Sequence, residues 1–303
     1  MRGNFGALYT NLLRAGFVGA QVQQPQQTVT FTGRMAAAWR RHWSHYVAEA
    51  FGLAFFISCA SLLTVLLEHP ASPVRQALPD STLRRGLLGM AMLLVVVAIV
   101  YNPWGKRSGA HINPAVTLAF WQLGKMRLPD ALWYVLAQVV GAILAAQLMA
   151  LVLGPLYAHP AVKYAVTEPM PKPGGEALAF AAEFVISFIL MLVMLGCLHS
   201  SKLKKLTGWL LGALIALYIL FESPYSGMSL NPARSLGTAL AARSYHGLWL
   251  YWVAPPLAMW LATVLFRHFY HGEALDCAVL AGCGPGTTSP HSPEAEPPQY
   301  PDE

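Results

Sequence analysis

The chain has 303 residues, 55% of them hydrophobic, and Lys, Arg, Asp and Glu make up only 11%, against roughly 25% in soluble domains. That composition excludes an ordinary water-soluble enzyme. The formal net charge is +6, yet the basic residues fall in short groups between apolar stretches, so no nucleic-acid partner is expected.

Residues 1–44 are mixed in character, with a Gln-rich stretch from Gln21 to Gln27 and a closing cluster Arg40, Arg41 and His42. They read as an N-terminal cytoplasmic arm; no apolar run follows the first basic residue, so this start is not read as a signal peptide. Apolar segments then cover about 46–67, 86–101, 132–153, 178–198, 206–221 and 248–269, each near the length that crosses a ~30 Å hydrocarbon core. Six spans put both termini on one side. If that side is cytoplasmic it receives Arg34, Arg40, Arg41, Lys106, Arg107, Lys125, Arg127, Lys202, Lys204, Lys205 and Arg267. The other side receives Arg75, Arg84, Arg85, Lys163, Lys172 and Arg243, and eleven against six favours both ends inside. After Gly272 the chain turns to Gly, Pro, Ser and acid, and 272–303 is expected to be a disordered Pro-rich tail.

Cys59 and Cys197 sit inside apolar runs and read as packing residues. Cys277 and Cys283 in the tail, with His271 nearby, lack the second ligand pair of a zinc site and read more readily as a chance pair than as a metal site. No metal and no cofactor are expected.

Two connections do not look like loops. SGAHINPAVTLAFWQLG lies between spans two and three, and SPYSGMSLNPARSLGTALA between spans five and six. Both are too apolar to be exposed and too short to cross, so they read as re-entrant segments lining an enclosed cavity. Aligned without a gap, Ser108-Gly109-x-x-Ile112-Asn113-Pro114-Ala115 matches Ser226-Gly227-x-x-Leu230-Asn231-Pro232-Ala233. The flanks repeat as well: Ala48-Glu49 against Ala182-Glu183, and the YVLA at Tyr134 against the YWVA at Tyr251. The channel-forming region is taken as 45–271, with repeat one at 45–155 and repeat two at 177–271. Three spans per unit invert the second copy, so the re-entrant segments enter from opposite faces and meet near the midplane.

Asn-Pro-Ala suits that meeting point: Asn is a favoured N-cap and Pro is tolerated at the first helical position. Two helix N-termini, each worth about half a positive charge, at ~5 Å and an effective dielectric of ~20 oppose a monovalent cation by on the order of 3 kcal/mol. A neutral solute escapes that penalty. Both asparagine amides can donate to a passing oxygen, which stops a water held there from relaying a proton.

The paired NPA boxes, the SGAHINPAV and NPARS contexts and the Ala-Glu starts resemble the aquaporin (major intrinsic protein) family over roughly 46–270. The resemblance implies an all-α membrane protein, an aquaporin-like bundle of six transmembrane helices plus two re-entrant half-helices in an inverted three-span repeat. It further implies one pore per subunit, a homotetramer in the cell membrane, and water or small neutral solutes as cargo. By similarity Arg234 is the selectivity-filter arginine, with Val116 as its repeat partner. Counting from the family pattern gives Met228, Ile219 and Leu93, or Met92 in place of Leu93, as the other filter positions, all apolar. Ser235, Ala239, Tyr251 and Trp252 match the water-channel subset instead. By similarity Glu49 and Glu183 support the re-entrant loops, the alternative being that each snorkels to the interface. His111 reads either as a pore-vestibule residue or as a structural loop histidine. Pro255-Pro256, early in span six, depart from the family pattern and are expected to bend that span.

The leading function is thus a passive channel for water and small uncharged solutes that excludes protons and ions. The alternatives are a glycerol, urea or hydrogen peroxide facilitator of low water selectivity, or a closed-pore structural membrane protein. No HExxH, GxSxG or P-loop pattern occurs in the sequence, which speaks against an intramembrane enzyme or a primary pump.

Overall fold

The computed structural model describes residues 30–270 and 278–282. Its principal helices are α1 (Phe31–Glu68), α2 (Ser81–Tyr101), α3 (Pro114–Gln122), α4 (Leu128–Leu153), α5 (Gly175–His199), α6 (Thr207–Phe221), α7 (Pro232–Ala242) and α8 (Leu248–Phe269). Six of them, all but the short α3 and α7, are long and apolar enough to cross a membrane, α6 together with the turn before it. The outer faces invert the pattern of a soluble protein, with Leu151 82% and Phe221 67% exposed, as expected where lipid is the solvent.

All six expected spans are present. The first begins earlier than the apolar run alone indicated: α1 starts at Phe31, so 31–44 of the expected arm is helix continuous with the span. Thr30 caps it by accepting from Gly33 N at 3.2 Å. Contacts with α4 hold this extension. Trp133 Nε1 donates to the Met35 carbonyl at 3.0 Å, the Trp39 and Trp133 rings lie 4.7 Å apart, and the buried Asp130 accepts from Tyr46 Oη at 2.6 Å and meets His42 Nδ1 at 2.7 Å. At the opposite end Arg84 grips Glu68 through two bonds of 3.1 and 3.0 Å, tying the end of α1 to the start of α2. Asp80 caps α2 through Leu83 N at 2.8 Å, and that backbone bond holds its carboxyl below the usual range.

The helices pack as two interlocked halves. α1 lies along α4, and α5 lies along α8; each short helix leaves its own half, α3 packing on α8 and α7 on α4, while α2 and α6 pair across the middle. Small residues allow the close approaches. A Cβ at Gly141 of α4 would strike the Ala50 carbonyl of α1, and one at Gly237 of α7 would lie 2.6 Å from the Ala142 carbonyl of α4. α8 runs through Pro255 and Pro256 without a break in the helix. This exchange brings the N-termini of α3 and α7 together in the centre of the molecule.

Candidate functional site

Each short helix begins at the proline of its Asn-Pro-Ala box, with the asparagine as N-cap. Asn113 Oδ1 accepts from Ala115 N at 2.9 Å; Asn231 Oδ1 accepts from Ala233 N at 3.0 Å and Arg234 N at 3.2 Å. Capping fixes which way each amide points. The nitrogens then cross between the halves: Asn113 Nδ2 donates to the Leu230 carbonyl at 2.8 Å and Asn231 Nδ2 to the Ile112 carbonyl at 2.7 Å. Each amide nitrogen carries two hydrogens, so one remains for a molecule in the cavity that both residues line.

The approach to each asparagine is left-handed at the same positions: Gly109, Ala110 and Ile112 have φ of 99°, 57° and 42°, and Gly227, Met228 and Leu230 have 78°, 53° and 59°. For the four non-glycine residues such a conformation costs about 1–2 kcal/mol each. Buried acids hold the loops in place. Glu49 Oε1 accepts from Ser108 Oγ at 2.7 Å and His111 N at 3.0 Å, and its Oε2 from Ile112 N at 2.5 Å and Gln138 Nε2 at 2.8 Å. Glu183 Oε1 accepts from Ser226 Oγ at 2.7 Å and Ser229 N at 2.6 Å, and its Oε2 from Leu230 N at 2.8 Å. Both side chains are buried inside the bundle, so neither snorkels to the interface. Two tyrosines add a matching pair of ties, Tyr134 Oη to the Ser108 carbonyl at 2.6 Å and Tyr251 Oη to the Ser226 carbonyl at 2.5 Å. The sequence repeat marks these tyrosines only as landmarks; their equivalent positions beside equivalent loops were the signal for this role. Gln138 has no repeat equivalent and was not legible.

A cavity of about 150 Å³ runs past this centre. His111 and Leu280 line one end, Asn113 and Asn231 the middle, and Arg234, Met228 and Ile219 the other. Phe56, Leu88, Met92, Val116 and Leu190 add apolar wall. Arg234 Nη1 is buried and has no hydrogen-bond partner among the described residues, which leaves a donor for a permeating oxygen. Leu93 is not on this wall. One residue turns a helix by about 100°, and Leu93 faces α6, its Cγ 3.2 Å from a Cβ built on Gly212; Met92 takes the lining position. His111 lines the cavity while its ring is held on both sides, Nδ1 3.3 Å from Thr117 Oγ1 and Nε2 3.0 Å from the Ala278 carbonyl.

That last contact corrects the expectation for the tail. Ala278, Val279 and Leu280 are buried against the bundle; of 272–303, all but 278–282 lies outside the described residues, Cys277 and Cys283 included. Cys197 is buried and Cys59 partly so, both with free thiols.

Six apolar helices around two half-helices that face one cavity define a membrane channel. The chain matches the major intrinsic protein family over residues 36–266. It is 33% identical to Aquaporin NIP1-1 of Arabidopsis thaliana over 214 residues, 70% of this chain and 68% of that protein. It is 41% identical to Aquaporin NIP1-2 of Oryza sativa subsp. japonica over 163 residues, 54% of this chain and 53% of that protein. The matches thus span between about half and two thirds of these relatives' lengths. Among solved structures it resembles the aquaglyceroporin from Plasmodium falciparum, with a TM-score of 0.56 and 21% identity, covering 79% of this chain and 98% of that one. The chain belongs to the major intrinsic protein family, whose aquaporins are channels and not enzymes.

Proposed function

We propose that the protein conducts water and other small uncharged solutes passively, in single file past Asn113 and Asn231, and excludes ions and protons. The observation that carries this reading is the cavity in which the free hydrogens of both asparagine amides and Arg234 Nη1, which has no partner among the described residues, meet a mostly apolar wall. An oxygen passing the centre accepts from both amides, which turns its own hydrogens away from the middle and interrupts a proton relay. The N-termini of α3 and α7 and the Arg234 charge act in the same direction against cations. Arg234, Met228, Ile219 and Met92 form the filter. With one strong donor and three apolar side chains, it offers water few partners and gives the carbon side of a small polyol or amide a surface to rest on.

The assembly is a homotetramer in the cell membrane with both termini cytoplasmic, a topology supported by the basic-residue bias. In liposomes an osmotic step should change vesicle volume faster than in empty liposomes, with no added proton leak reported by an internal pH dye. A rate that stays unchanged even when residues 278–282 are displaced from the pore mouth would overturn the channel reading. For orientation, a cysteine at Lys163 should react with an impermeant reagent on intact cells and one at Lys202 should not; the reverse would overturn the topology.

A further inference from the structure

The His111 end of the cavity is lined by a segment that the half-helix repeat does not supply. We propose that residues 278–282 are a plug seated in this mouth, so that the pore conducts when the segment leaves; this rests on the channel reading above. Leu280 is 5% exposed and, like His111, lines the cavity. Its backbone N–H donates to the Gly109 carbonyl at 3.1 Å, and two residues earlier the Ala278 carbonyl meets His111 Nε2 at 3.0 Å. The segment then turns, Gly282 N donating to the Val279 carbonyl at 2.8 Å. That turn brings Gly282 against the backbone of Lys204, in a connection anchored to α2 by the 2.7 Å bond from Tyr101 Oη to the Lys205 carbonyl.

The donors and acceptors form one consistent chain. Gln138 Nε2 donates to Glu49 at 2.8 Å and to Thr117 Oγ1 at 3.0 Å, which leaves the Thr117 hydroxyl hydrogen for His111 Nδ1. His111 Nε2 then carries the ring hydrogen and donates it to Ala278, since a carbonyl only accepts. The plug is thereby attached to the network that shapes the first re-entrant loop. The seat combines the bonds to Gly109 and His111 with burial of Ala278, Val279 and Leu280, and its release is the opening of one short segment against a fixed mouth. A water entering at this end meets the Leu280 alkyl group where the Gly109 carbonyl would otherwise accept from it.

The test uses the full chain in liposomes and stopped-flow water flux. Leu280→Asp sets an acid where a charge does not stay buried and unseats the segment. Lys204→Cys with Gly282→Cys, in a chain whose four native cysteines are Ala, locks the seat: a Cβ built on Gly282 lies 3.4 Å from Lys204 Cβ, at the short edge of disulfide reach, and 2.8 Å from the Lys204 carbonyl, so the turn at Gly282 shifts outward slightly as the bond forms. Leu280→Asp should conduct more than about tenfold faster than the oxidised double-cysteine chain, and reduction should restore the wild-type rate. If Leu280→Asp does not reach the liposomes folded, Leu280→Gly takes its place. Failure of the two cysteines to cross-link contradicts the seat. Equal fluxes through locked and unseated chains, both above empty liposomes, overturn the plug and leave the channel reading intact. Flux no faster than empty liposomes in every chain, unseated ones included, removes the channel reading and the plug with it.

Discussion

The two re-entrant loops share one backbone shape and are held in different ways. In the first, Glu49 takes four donors, the fourth from Gln138, which also reaches Thr117 and through it His111. In the second, Glu183 takes three, and the remaining ties come from hydroxyls: Ser229 Oγ 2.5 Å from Ser235 Oγ, and Ser235 Oγ 2.6 Å from Thr167 Oγ1. Pro255 stands where the first half has Gln138, and proline has no side-chain donor to offer. The lesson is that the repeat preserves the geometry of the cap, namely left-handed approach, acid, tyrosine and asparagine. The outer supports differ, and so do the mouths they build: the second loop carries Arg234, whereas its counterpart Val116 is a buried apolar residue.

The largest expected effect is loss of an acid. Glu49→Leu leaves donors unpaired at about 1–3 kcal/mol each, a total comparable with the whole stability of many domains. Folded yield by size exclusion should fall below that of Glu183→Leu, and both below the corresponding Gln variants. Yields of the Leu variants equal to wild type would mean that these acids do not hold the loops.

A middle-sized difference should separate the outer supports. Gln138→Leu removes a bond to an acid, worth about 1.5–3 kcal/mol, while Thr167→Val removes a neutral hydroxyl bond worth about 1 kcal/mol. Thermal unfolding in detergent should therefore show the larger drop in Tm for Gln138→Leu, and a reversed order would break the contrast drawn between the loops. The smallest effect should be symmetrical. Tyr134→Phe and Tyr251→Phe both remove the bond to a serine carbonyl, which is worth about 1 kcal/mol in either half; a loss confined to one of them would show that the shared geometry is not equally needed in both halves.

Much of this site was legible because the chemistry that builds it is local and duplicated. Asn-Pro-Ala carries its own N-cap and first helical residue, while the support role of Glu49 and Glu183 was readable through the family resemblance, position alone leaving snorkelling to the interface open. What was not legible depends on packing between distant segments. Leu93 and Met92 are neighbours in sequence with near-identical chemistry, and only the close approach of α6 at Gly212 decides which faces the cavity. The helical start at Phe31 depends on Trp133 and Asp130 of α4, about a hundred residues on. Residues 278–282 lie in a stretch whose composition indicates disorder, and their burial follows from a receptive mouth, not from their own propensity.

The central claim is that one charge set against an apolar wall governs what passes. It is tested most directly by the glycerol-to-water permeability ratio in liposomes of matched protein content, compared between wild type and Ile219→His. Ile219 is 8% exposed and lines the cavity with Arg234, so a histidine there narrows the opening and adds a donor. The ratio should fall at least severalfold, with water flux reduced far less. An unchanged ratio, with both proteins passing water, would contradict the account and move the constriction away from Arg234, Met228 and Ile219.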